Sequence, residues 1–172
     1  MRSLKFFFFV SIVALILQSQ QCPVKYNLSG GRKFADTVTV SVMPFVNSAP
    51  LAKATLTQTF ADALREELQK TRLTMVPKNG DLNYEGTVTG YAITPVSIQA
   101  GGDNNASSNR LTITINVKYT DATDERLNFD APFSRYADYP STQNLSAVED
   151  QLIKDITDQI VQDVLNRSIN AW

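Results

Sequence analysis

The chain has 172 residues, with 16 Lys and Arg against 17 Asp and Glu and a formal net charge of −1. This balance, without a basic excess, argues against nucleic-acid binding. Histidine is absent and Cys22 is the one cysteine, so the commonest general base, metal ligand and thiol nucleophile are missing or committed elsewhere. We therefore expect a protein that is not an enzyme and that holds no metal or cofactor.

The first predicted element is a secretory signal peptide, residues 1–21. Two basic residues precede an apolar run over residues 6–17, which is shorter than the ~20 residues of a membrane-spanning helix. Cys22 then stands at a position that resembles the lipobox of bacterial lipoproteins, with Gln21 where that motif has Gly or Ala. We predict that Cys22 carries an acyl anchor. The alternative is ordinary cleavage, which leaves Cys22 as a free thiol.

Cleavage before Cys22 leaves about 150 residues, the size of one ordinary domain. Residues 22–35 have no sustained periodicity and include two adjacent glycines, so they are predicted to be the lipidated N-terminus and its tether. Residues 36–172 are predicted to form a single domain.

The first half of that domain is predicted to contain a strand, a helix and a second strand. Residues 36–42 alternate between valine and small polar residues, which predicts a half-buried strand. The segment from Asn47 to Pro50 is typical of a helix start, and apolar residues at three- and four-residue steps predict a helix over residues 51–70. Residues 73–76 indicate a short second strand.

The second half begins with the longest predicted strand, residues 82–98. Its alternation changes phase near Gly90, which predicts a bulge, and Pro95 indicates a sheet edge at that point. A mobile loop is expected over residues 100–109 because it lacks large apolar side chains. Residues 111–119 and 127–133 alternate again and predict an antiparallel hairpin.

The last predicted element is a long helix that begins at Ser141 or Ser146 and runs nearly to Trp172. Residues 146–149 fit a capping box, and a broad apolar stripe follows. Three acidic residues off the stripe, Asp155, Asp158 and Asp163, are predicted to be solvated and to serve solubility; a metal site is the minor alternative.

These elements predict an α+β two-layer sandwich, with both helices packed on one face of a mixed four- to five-stranded sheet. The first strand-helix-strand unit should pair in parallel through a right-handed crossover. The opposite face of the sheet is predicted to be polar and either functional or merely solvated. It would carry Thr37, Thr39, Ser41, Thr112, Thr114, Asn116 and Lys118.

Several stretches, in order along the domain, resemble the LptE-like lipopolysaccharide-assembly lipoproteins of the Gram-negative outer membrane. They lie at residues 49–64, 80–86, 109–114, 133–138 and 148–152. The resemblance implies two helices on a four-stranded mixed sheet and a non-catalytic role. Members of the family partner a large outer-membrane β-barrel as a plug, help it assemble and bind lipopolysaccharide. The resemblance therefore implies an outer-membrane location at the periplasmic face, held by the acyl anchor.

Lipopolysaccharide phosphates require cations, and Arg is the best suited because its guanidinium group can bind bidentately. Arg110 beside the predicted loop, Lys118 on the polar face and Arg135 at the end of the returning strand are the predicted lipopolysaccharide ligands. Each could instead be an ordinary surface cation.

The sequence is also compatible with two other functions. A generic envelope lipoprotein could act as an adaptor for a secretion or assembly complex without contacting lipopolysaccharide. An envelope hydrolase would have to rely on a carboxylate pair or a Ser-Lys arrangement, and no spacing in the sequence singles one out.

Overall fold

The computed structural model describes residues 38–97 and 107–169. The signal peptide, Cys22, the tether and most of the predicted loop therefore lie outside the described residues, as do Thr37 and Trp172. The boundaries predicted at residues 21 and 35 stay predictions.

Six strands and two α-helices make up the described chain. The strands are β1 (Thr39–Val42), β2 (Val46–Asn47), β3 (Thr74–Met75), β4 (Leu82–Ser97), β5 (Ser107–Asp121) and β6 (Phe129–Pro140). The helices are α1 (Leu56–Gln69) and α2 (Leu145–Ser168), and a 3-10 turn at Glu125–Leu127 links β5 to β6.

The sheet is mixed and open, in the order β3-β1-β4-β5-β6, and β2 pairs with β4 beyond the end of β1. β1 is parallel to β3 and β4, while β4, β5 and β6 are successive antiparallel strands. The predicted two-helix, mixed-sheet architecture is confirmed. The β2 strand was not predicted, because the two residues after Phe45 show no alternation.

Both helices cover the same face of the sheet. α1 contacts β1 and β3, whereas α2 contacts β5, β6 and α1. One apolar core lies between the two helices and the sheet. Its largest fully buried side chains include Phe60, Leu64, Tyr84, Ile115 and Ile156. Since α2 has 24 residues, it is roughly 36 Å long at about 1.5 Å per residue. Its contacts with β5 and β6 show that it packs across the hairpin.

The predicted bulge in β4 is confirmed. The pairing with β5 shifts between Val88 and Gly90, so Val88 before the shift and Tyr91 after it both point into the core. Pro95 has a strand on one side only among the described residues, as expected for an edge position.

Helix α1 starts later than predicted. The Asn47 carboxamide accepts from the Ala49 amide, and the Ala52 and Leu56 amides donate three residues back. These turns occupy residues 50–55, so the Asn47 signal begins a turn and not the helix.

Helix α2 also begins at a different cap. Asn144 is the N-cap and its side chain accepts from the Ser146 amide, so the predicted capping box at Ser146 is wrong. Glu149, the residue assigned to that box, accepts instead from the Tyr91 hydroxyl at 2.6 Å.

Part of the predicted polar face is buried. Ser41 has no exposed surface, because its hydroxyl donates to Asn83 and accepts from the Gly80 amide. Gly80 lies so close to β1 that an added Cβ would be 2.7 Å from the Ser41 nitrogen. The segment before β4 therefore covers this end of the sheet.

Candidate functional site

The sheet face opposite the helices, which we call the open face, has no helix on it among the described residues. It is built by alternation: odd-numbered residues of β5 from Leu111 to Tyr119 are buried beneath the helices, so the even-numbered ones point to the open face. The pairing of β5 with β6 places even-numbered β6 residues beside them.

Hydroxyl and amide groups occupy the middle of the open face. The Thr114 hydroxyl lies 3.0 Å from the Ser134 hydroxyl across the β5–β6 pair, and the Asn116 amide donates to Asp130 at 2.5 Å. The first contact joins two neutral groups and the second brings in one carboxylate, so the centre of the face is polar.

Arg110 lies on the open face near the start of β5. Its guanidinium group donates to both carboxylate oxygens of Asp138, at 2.7 and 2.9 Å, and stacks over the Tyr136 ring at 3.6 Å from the centroid. The hydrogen bonds from Arg110 hold the pKa of Asp138 below its usual range, so the pair is charged at neutral pH.

Tyr136 was not predicted as a functional residue. It is 51% exposed, one of the few large apolar side chains at the described surface. Its alternation with Ser134 and Asp138 was the sequence signal that could have placed it beside Arg110.

Lys118 also lies on the open face, eight residues from Arg110 along β5. Its ammonium group is 2.7 Å from the Glu85 carboxylate on β4, and this hydrogen bond raises the pKa of Lys118. At about 3.4 Å per residue, the backbone positions of the two residues are roughly 27 Å apart along the strand. They do not form one site.

Arg135 lies on the other face. It pairs with the buried Ile113 and points toward α2, where its guanidinium group donates to both oxygens of Asp163 at 2.6 and 2.7 Å. Phe133, two residues earlier on β6, is buried on the same side. That spacing was the signal that could have placed Arg135 among the helix contacts.

The structure therefore brings none of the three predicted ligands together, and each of them has a carboxylate partner. An anion could reach any one of these cations only by displacing or sharing that carboxylate. Whether they bind lipopolysaccharide stays a prediction.

Within the described ranges, 38–97 and 107–169, no group of three or more acidic, His or Cys residues is placed to hold a metal ion. No helix in that part of the chain is long and apolar enough to cross a membrane.

The family model of LptE, described as lipopolysaccharide assembly, matches residues 37–168. A solved protein from Xanthomonas campestris is similar over 76% of this chain and 85% of its own, with 15% identity and a TM-score of 0.50. At this identity the similarity concerns the fold alone.

Two further solved structures are weaker matches. A minor lipoprotein from Acinetobacter baumannii is 13% identical over 76% of this chain and 91% of its own, with a TM-score of 0.48. The rare lipoprotein B from Shewanella oneidensis is 14% identical over 73% and 91%, with a TM-score of 0.46. No curated protein sequence matches this chain.

Proposed function

The chain belongs to the LptE family of lipopolysaccharide-assembly proteins, and we propose that it is a non-catalytic outer-membrane lipoprotein that partners and plugs a large β-barrel. In this role it helps to assemble lipopolysaccharide into the outer leaflet. The observation that carries the proposal is the family match to residues 37–168, which spans all six strands and both helices.

The predicted acyl anchor at Cys22 would hold the domain at the periplasmic face of the outer membrane. Anchoring confines the domain near the membrane and raises its effective concentration beside a barrel. The tether of residues 22–35 would let the domain reach the barrel opening.

The open face supports docking inside a barrel. The interior of a large outer-membrane barrel is polar, and the centre of the open face presents the Thr114, Ser134 and Asn116 side chains. Such hydroxyl and amide groups can hydrogen-bond to the barrel wall directly or through water. We therefore propose the open face as the surface that contacts the barrel lumen.

Among the predicted lipopolysaccharide ligands, the geometry best supports Arg110. Its guanidinium group is oriented by the Tyr136 ring and lies at the open face. A phosphate could replace Asp138 as its bidentate partner with little rearrangement of Arg110 itself. Lys118 is a second, separate cation on this face, whereas Arg135 would have to act from the helix side.

The adaptor function is the second candidate, and one observation favours it. Arg110, Lys118 and Arg135 are all neutralised by carboxylates of the same chain. An adaptor without lipopolysaccharide contact would use these pairs only to hold the fold and its surface charge.

Gentle-detergent purification of the tagged full chain from outer membranes tests the proposal. Recovery of one large β-barrel in near-equal amount supports the plug role, and recovery of other envelope proteins without a barrel supports the adaptor. Recovery of no partner contradicts both. The mass of the mature protein from the same membranes tests acylation of Cys22, since an unmodified Cys22 or a retained signal peptide would exclude the anchor.

A further inference from the structure

Strand β6 is the outermost strand on its side of the described sheet. The Ser141 amide donates to the Ser107 carbonyl at 3.1 Å, and the β5–β6 pairing continues from there without a shift. Because hydrogen-bonded pairs alternate along an antiparallel ladder, odd-numbered β6 residues bond to β5 and even-numbered ones point their backbone groups outward. Pro132 and Pro140, which have no amide hydrogen, both fall on outward positions.

Between the two prolines, the amides of Ser134, Tyr136 and Asp138 point outward. They have no hydrogen-bond partner within residues 38–97 and 107–169. The Pro140 carbonyl already accepts from the Gln143 amide, so the unsatisfied edge ends there. Such a row of free backbone groups is a template for pairing with another strand.

Charged side chains often prevent edge pairing, but those on this edge are neutralised inside the chain. Arg135 is bound by Asp163 on one face, and Asp138 is bound by Arg110 on the other. An approaching strand would therefore meet hydrogen-bonding groups without an unpaired charge at residues 133–139.

We propose that this edge pairs antiparallel with the same edge of a second copy of the chain, in the register that places Tyr136 opposite Tyr136. In that register the proline-free stretch 133–139 overlaps itself completely. Ser134 lies opposite Asp138 of the second copy, and every outward amide between the prolines finds a carbonyl. The two Tyr136 rings would form a cross-strand aromatic pair.

Backbone pairing favours this register over its neighbour. A register centred on Arg135 would place the Asp138 carbonyl opposite Pro132, which has no amide hydrogen to donate. The interface is one strand wide, well below the roughly 1,600 Å² of a standard stable complex. We therefore expect a reversible dimer whose population rises with protein concentration, and this dimer does not depend on the proposed lipopolysaccharide role.

Sedimentation of the full chain in mild detergent with reductant, over a concentration series, tests the dimer. Ser134→Pro removes an outward amide without removing a bond to β5, and Ser134→Ala is its matched control because both variants lose the hydroxyl near Thr114. We expect the parent and Ser134→Ala to dimerise and Ser134→Pro to do so about tenfold more weakly, or not at all. Monomers at every concentration, or equal dimerisation of both variants, would overturn the proposal.

Disulfide trapping tests the register independently. Paired Cα atoms at a hydrogen-bonded position are about 5.5 Å apart, within disulfide range. Tyr136→Cys should therefore form a covalent dimer above the background set by the parent, whose only cysteine is Cys22. Ser134→Cys should not, because its counterpart would lie roughly 13 Å away along the strand. Trapping of Ser134→Cys, or of neither variant, would overturn the register.

Discussion

The Arg135 guanidinium group on β6 binds both carboxylate oxygens of Asp163 on α2, at 2.6 and 2.7 Å. This pair joins the edge strand of the sheet to the helix that covers it. Arg135 therefore has a structural contact on the helix side, in addition to its predicted contact with lipopolysaccharide. The two roles lead to different mutational results.

Arg135→Glu should lower the free energy of unfolding by about 1 kcal/mol, because it replaces a partly exposed ion pair with two facing carboxylates. Urea denaturation of the full chain measures this effect. The neutral double variant Arg135→Gln/Asp163→Asn should have a free energy of unfolding closer to that of the parent, since it removes the ion pair without creating repulsion. Greater destabilisation by the neutral variant would contradict this account of the pair.

The same neutral variant separates folding from ligand binding. If Arg135 contacts lipopolysaccharide, the variant should bind it more weakly in a direct titration while retaining near-parental stability. Unchanged affinity would remove Arg135 from the predicted ligands.

Asp138→Asn should increase lipopolysaccharide affinity about two- to fivefold if Arg110 is a ligand, because the carboxylate that competes with phosphate is lost. Arg110→Gln should decrease it. The matched control is Asp158→Asn on α2, which breaks an exposed pair with Lys154 and removes the same charge. An equal increase in lipopolysaccharide affinity for Asp138→Asn and Asp158→Asn would show a general charge effect and contradict a site at Arg110.

Gly86→Ala should destabilise the fold by about 1–3 kcal/mol in urea denaturation. An added Cβ would collide with the Asn116 carbonyl oxygen and lie 2.8 Å from the Phe45 ring. Gly90→Ala is the control, since its Cβ would meet the Thr114 side chain at 3.0 Å and no backbone that closely. If Gly90→Ala lowers the free energy of unfolding as much as Gly86→Ala does, the packing argument is contradicted.

Asp81 should make stability depend on pH in the acid range. Its carboxylate accepts from the Thr39 amide at 2.8 Å and from the Thr39 hydroxyl at 2.7 Å, and these bonds, the backbone one first, lower the pKa of Asp81. The folded chain therefore releases this proton at lower pH than the unfolded chain. The stabilisation is present above the unfolded pKa of about 3.9 and is lost as pH falls through the folded pKa.

The measurement is the urea midpoint at a series of pH values from about pH 6 to about pH 2, for the parent and for Asp81→Asn. The parent should lose more stability than the variant over the acid part of this range. Parallel curves for the two proteins would show that Asp81 makes no such contribution.

The sequence was most informative where one face of an element is buried. Alternation placed β5 and the first half of β6, and the phase change at Gly90 located the bulge because Val88 and Tyr91 both had to reach the core. The apolar stripe of α2 likewise followed from the need to cover the sheet. These features depend on local periodicity, which a single sequence records directly.

Features that depend on distant contacts were less accessible. Helix α1 starts later than predicted because turns follow Asn47. Ser41 is buried because the segment that contains Gly80 packs against it. Arg135 was assigned by charge alone, although Phe133 on the same strand indicated which face it occupies. Arg135 lies apart from the other two predicted cations because its charge does not specify which face of the sheet it occupies, whereas Arg110 and Lys118 share the open face and are separated by eight positions along β5.

Controlled depletion of the chain in its native cells tests the central claim most directly, with lipopolysaccharide in the outer leaflet as the measured quantity. The account predicts that surface lipopolysaccharide falls and that the full chain restores it. Lipopolysaccharide that reaches the surface at the same rate in depleted and undepleted cells would contradict an assembly role.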